Sequence, residues 1–152
     1  MNKFLHFTAI VAALSTRALS QSYGEEQRVT YESPVPSGWI VTALHDAGRD
    51  TPNWRNVAKT LTYIGGARTG AILRVRSENP VPVGWVVTET HDEGKGTRHW
   101  RRVGMTIRHV GGERRGTCLE VHHESPVPDG WVVYESPGAG RRTKTIRCAS
   151  ER

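Results

Sequence analysis

Glu78-Asn79-Pro80-Val81-Pro82-Val83-Gly84-Trp85-Val86-Val87 is the stretch on which the fold turns, because it is the middle one of three. Glu32-Ser33-Pro34-Val35-Pro36-Ser37-Gly38-Trp39-Ile40-Val41 stands 46 residues before it, and Glu124-Ser125-Pro126-Val127-Pro128-Asp129-Gly130-Trp131-Val132-Val133 stands 46 residues after it. A second block keeps the same step. Trp54-Arg55 with Val57, Thr60, Leu61 and Gly65-Gly66 returns as Trp100-Arg101 with Val103, Thr106, Ile107 and Gly111-Gly112, and the match runs on to Gly70 and Gly116. A fixed period of this length marks one supersecondary unit used several times, each too small to bury its own apolar face.

Working outward from the motif, runs rich in β-branched and aromatic residues, bounded by Gly and Pro, favour strands, and no segment holds a helical period for three turns. Ile72 to Ser77 alternates Leu73 and Val75 with Arg74 and Arg76, as a half-buried strand does. Its copies are Gln27 to Tyr31 and Cys118 to His123. The Pro-x-Pro that follows interrupts any ladder, since each proline lacks an amide donor. The next Gly takes a backbone conformation that other residues resist, and a new strand opens at Trp85. A third strand runs from Arg101 to Val110, and Gly111 to Gly116 is read as a hairpin turn into the following unit.

The chain begins on a first strand with no third strand before it, and ends on Arg141-Arg142-Thr143-Lys144-Thr145-Ile146-Arg147, which resembles the third strand with one residue deleted. Cyclic pairing of this tail with the first strand predicts a closed, pseudo-threefold all-β domain without exposed sheet edges. By fold-level analogy the preferred arrangement is β-trefoil-like, with a β-prism-like one as the alternative, although a trefoil needs a fourth strand per unit. The expected boundaries are one domain over residues 21–152, with repeats at about 27–64, 65–110 and 111–148.

Residues 1–20 read as a signal peptide: a basic start at Lys3, an apolar run from Phe4 to Leu14, and small residues at Ala18-Leu19-Ser20. The expected location is therefore secreted or periplasmic, with no membrane span in the mature chain. Removing this segment takes away Lys3 and Arg17 and no acids, lowering the formal charge from +6 to +4. Cys118 and Cys148 are the only cysteines, and an even pair in an oxidising compartment predicts a disulfide. Such a bridge would stabilise the fold by roughly 3–4 kcal/mol.

Candidate ligand residues follow from position and type. Trp54 and Trp100 lie in polar, Gly- and charge-rich stretches, where an aromatic ring is more often a contact than core, and Arg55 and Arg101 adjoin them. His45 and His91 precede Asp46 and Asp92 at equivalent places, but neighbours on a strand face opposite ways, which weakens an acid–base reading and favours a turn role for the Asp. Trp39, Trp85 and Trp131 have a packing role and a sugar-stacking role open to them. Strand Trp85-Val86-Val87 is apolar on both faces, so one face must find cover or a ligand. No spacing of His and Cys predicts a metal, no Gly-rich loop leads to a P-loop lysine, and no nucleophile elbow or carboxylate pair is present, so neither a cofactor nor an enzyme is expected.

The reading that results is a secreted binding module for carbohydrate, a glycan or acidic polysaccharide. The alternative partner is a secreted protein, as for a hydrolase inhibitor or effector, and a polyanion-binding surface protein is the third. Nucleic acid is the least favoured ligand.

Overall fold

A computed structural model of the chain describes residues 21–47, 55–93, 101–136, 140 and 142–149. Residues 1–20, with the expected signal peptide, lie outside them, as do Trp54 and Trp100. The described residues form nine strands and no helix. These are β1 (Glu26–Thr30), β2 (Trp39–Ala47), β3 (Arg55–Tyr63), β4 (Ile72–Arg76), β5 (Trp85–Glu93), β6 (Arg101–His109), β7 (Cys118–His122), β8 (Trp131–Glu135) and β9 (Thr143–Cys148). They assemble into three antiparallel three-stranded sheets in the orders β1-β3-β2, β4-β6-β5 and β7-β9-β8.

The Pro-Val-Pro-x-Gly-Trp motif explains why the first two strands of each sheet do not pair with each other. The amide of Trp39 donates to the carbonyl of Pro36 at 3.1 Å, closing a four-residue turn whose third residue, Gly38, has φ of 80°. A positive φ at that place is the signature of a type II turn, which a side chain would strain. Trp85 and Trp131 close the same turn on Pro82 and Pro128. The chain thereby re-emerges on the far side of the strand still to come, and the third strand fills the middle position. Register follows the sequence repeat: Leu73 pairs with Ile107 where Gln27 pairs with Leu61 and Leu119 with Ile146. A bulge between Val41 and Ala43 recurs between Val87 and Glu89, and again between Val133 and Glu135.

Three expectations change. The glycine segments after β3 and β6 are not hairpins within a sheet, because β3 pairs with β1 and β2 and not with β4. The tail strand β9 lies between β7 and β8 instead of closing onto β1. The described sheets touch in a row, β2 against β4 and β5 against β7, and no strand of the third sheet touches the first, so the trefoil-like or prism-like ring is not formed. The physical reason is local: the third strand of each unit finds two partners in its own unit, which leaves it no ladder edge for the next.

Cys118 and Cys148 are not bonded to each other in this structure. Cys118 pairs in register with Arg147, so Cys148, one residue on, directs its side chain to the opposite face. Cys118 is exposed and Cys148 buried, in keeping with that alternation.

Two apolar clusters hold the row together. Val75, Trp85, Val87, Met105 and Ile107 of the second sheet receive Ile40 from the first, with Ile64 packed alongside. Val121, Trp131, Ile146 and Cys148 of the third receive Val86 and Val110 from the second. The second apolar face of the middle strand is thus covered by the next sheet. Trp39, Trp85 and Trp131 are all buried, Trp39 against Tyr63 and Trp85 against His109 at centroid distances of 5.5 and 5.2 Å.

Candidate functional site

Each junction between sheets is pinned by one polar side chain at the repeat position after the motif Glu. The bulge in β2 turns the amide and carbonyl of Val41 outward, and Asn79 meets both. Its Oδ1 accepts the Val41 amide at 3.1 Å, and its Nδ2 donates to the Val41 carbonyl at 2.7 Å and to Arg76 O at 2.9 Å. At the second junction the buried Ser125 Oγ accepts the amide of Val87 at 2.8 Å. Arg102 Nη1 spans the same junction to Glu124 Oε2 at 2.7 Å. This bond holds the Glu124 carboxyl below its ordinary pKa, with the guanidinium's charge adding to the effect.

An open groove of about 580 Å³ lies against the first junction. Its apolar floor includes Val35, Trp39, Leu44 and Pro80, and its rim carries Tyr31, Glu32, Lys59, Arg76, Glu78 and Asn79. Tyr31 is exposed, whereas Lys59 is nearly buried with its ammonium 5.9 Å from the Tyr31 ring centroid. Arg76 and Glu78 form an ion pair at 3.3 Å across the rim. The volume is typical of small-ligand sites, which combine apolar walls with a few directed polar groups. Such a set can stack one ring face and hydrogen-bond hydroxyls around it. The equivalent positions of the second junction carry Ser77, Met105 and His122 in place of Tyr31, Lys59 and Arg76, so this pattern of groups belongs to the first junction.

The sequence candidates fall elsewhere. His45 Nε2 meets Thr60 Oγ1 at 2.8 Å, and His91 Nε2 meets Thr106 Oγ1 at the same distance. Both rings are half-buried and tie the second strand to the third beside its second bulge, between His45 and Asp46 and between His91 and Asp92. Arg55 is exposed at the start of β3, opposite Ala47, and Arg101 opens β6 opposite Glu93. His45 and Arg55 therefore flank one end of the first sheet, and His91 and Arg101 the corresponding end of the second. Trp54 and Trp100, on the connections between these strands, lie outside the described residues. Sequence reasoning passed over Tyr31, Lys59 and Asn79. The signal available was departure from the repeat at two of them, a Tyr where Ser and His stand and an Asn where Ser stands twice, whereas Lys59 is matched by Lys144 in the third sheet.

His122 is buried in the third sheet, 4.5 Å ring to ring from His123. Burial pushes its pKa below the ordinary value, and the nearby His123 and Arg102 push the same way. Among the described residues no group of three or more His, Cys, Asp or Glu could hold a metal ion, and no helix is long and apolar enough to cross a membrane. No protein-family model matches the chain, and no match is found among curated proteins or solved structures.

Proposed function

We propose that this chain is an exported carbohydrate-binding module of three equivalent units in an open row, and that the groove at the first junction takes a sugar residue. The observation that carries the reading is the pairing, in one open cleft, of an exposed aromatic ring with four hydrogen-bonding side chains of both charges. Tyr31 supplies the ring face, and Lys59, Arg76, Glu32 and Glu78 supply donors and acceptors around it. A sugar needs both, because its C–H face is apolar while its hydroxyls demand partners once desolvated. Trp54-Arg55 and Trp100-Arg101 are proposed as secondary contacts that extend an oligosaccharide beyond the groove. The reading assigns the protein to binding and not to catalysis.

The test is a panel of neutral and acidic oligosaccharides presented to the wild type, to Tyr31→Ala and to Trp54→Ala/Trp100→Ala, with affinity followed by calorimetry. Loss of binding in Tyr31→Ala with folding intact places the sugar in the groove. Loss only in the double tryptophan variant moves the site to the connections. A wild type that binds nothing on the panel, but captures a secreted hydrolase, replaces the carbohydrate reading with a protein-directed one.

A further inference from the structure

The two junctions inside the chain are built from the same parts, and the same parts reappear, unused, at its two ends. Ile40 and Val86 occupy one register position in the first and second sheets, and each is sealed beneath the sheet that follows, with 3% and 0% of its surface exposed. Val132 occupies that position in the third sheet and is 44% exposed. Beside it, Val133 is 45% exposed where Val87 is buried. The comparison holds down to hydrogen bonds that fix the backbone. Ile64, Val110 and Ala149 each donate an amide to the glycine before the second strand, at 2.8 Å in all three sheets, so the third sheet has the same frame and lacks only its cover.

The opposite face is open on the first sheet. Val75 and Val121, which receive the preceding sheet, are fully buried, whereas their counterpart Val29 is only half-buried. Asn79 and Ser125, which accept the amide of the preceding sheet's bulged strand, have Ser33 as their counterpart, half-exposed in the loop after β1. Val133 pairs with Ile146 in the register in which Val41 pairs with Leu61 and Val87 with Ile107. Its amide and carbonyl accordingly point outward from β8, where those of Val41 meet Asn79. An exposed strand edge with outward amides and flanking valines is a template for a further partner.

We propose that the chain associates head to tail with other copies of itself, the β8 edge of one copy docking on β1 and the 31–35 loop of the next, with Ser33 accepting the amide of Val133. Continuity with the two internal junctions selects this occupant: each open face is the complement of the other, and the contact it would make already occurs twice. The contact is heterologous, so copies close into a ring if the rotation permits and otherwise extend as a filament. Two substitutions make the outer junction weaker than the inner ones. Gln27 stands where Leu73 and Leu119 pack, and Ala149 where Ile64 and Val110 pack, which reduces the apolar surface buried and makes the association reversible.

Sedimentation velocity of the full chain across a wide concentration range tests this. The wild type is expected to gain mass with concentration. Val132→Asp, which disables the tail face, and Ser33→Arg, which disables the head face, are each expected to stay monomeric with unchanged circular dichroism. An equal mixture of the two is expected to form a dimer that grows no further, because each variant retains the face the other has lost. A wild type that is monomeric throughout, variants that associate as the wild type does, or a mixture that stays monomeric would each overturn the proposal. A self-complementary, isologous contact is recognised by a wild type that stops at a dimer while one of the two variants still associates as the wild type does.

Discussion

Removing one hydroxyl at the second junction measures how strongly the sheets depend on each other. Ser125 Oγ accepts the Val87 amide at 2.8 Å, and both residues are buried. In Ser125→Ala the methyl takes the same place, but the amide loses its acceptor while staying closed to water. A buried donor left unsatisfied costs about 1–3 kcal/mol. For a chain of this size that corresponds to a fall in Tm of about 2–12 °C, taking 2–4 °C per kcal/mol. Urea unfolding followed by tryptophan fluorescence should show a lower midpoint at an unchanged slope, since the variant exposes no more surface on unfolding. Ser125→Asn supplies the control, because Asn79 already performs this task at the first junction with two bonds to Val41. It should hold the wild-type midpoint or raise it. A Ser125→Ala midpoint within about 0.5 kcal/mol of wild type, the range of neutral surface changes, would refute the claim that this bond locks the sheets.

Other outcomes follow from single residues. Ile107 is fully buried at the centre of the cluster shared by the first and second sheets, so Ile107→Ala should cost about 2–5 kcal/mol in denaturant unfolding. Burial, with the charges of His123 and Arg102, lowers the pKa of His122 in the fold, whereas in the unfolded chain it takes up a proton near its ordinary value of about 6.5. Stability should therefore be full above that value and decline as pH falls through it, and His122→Thr, the residue of the first repeat, should flatten this part of the Tm–pH profile. Glu124→Gln removes a charge-assisted bond between two exposed groups, so it should shift stability by no more than about 1 kcal/mol, and less in high salt. Cys118→Ser should leave Tm unchanged with or without reductant, and two thiols should react per unfolded wild-type chain prepared without reductant, because the register sends the two side chains to opposite faces.

Strand positions were legible in the sequence because they depend on short-range chemistry. Alternation at Leu73-Arg74-Val75-Arg76, the proline-bounded turn and the glycine before each Trp placed strands at 72–77, 85 onward and 101–110, close to the observed bounds of β4, β5 and β6. The choice of partner for the third strand was not legible. Between β2 and β3 and between β3 and β4 the connections are of similar length and both carry glycine, so closure entropy hardly separates one hairpin from the other. What decides is the turn at Pro36-Ser37-Gly38-Trp39, which returns the chain on the far side of β1 and reserves the middle place for β3. The groove was hidden for a related reason: Tyr31, Lys59 and Asn79 come from two repeats, and each looks like an ordinary surface residue until the junction brings them together.

The same physics explains why the inferred closure went to the wrong place while its motive was sound. An apolar second face on the middle strand does require cover, and Ile40 and Val86 receive it from the neighbouring sheet. A cyclic reading supplied cover for the third copy by folding the tail strand back to β1. In the structure β9 is already engaged on both sides, by β7 and β8, so it has no edge left to offer. The unmet requirement therefore passes from the tail strand to the outer faces of the row, at Val132 and Val133 on one end and Val29 and Ser33 on the other. A row of sheets that each depend on the next for cover has two ends that differ from each other, and ends of that kind fit one another.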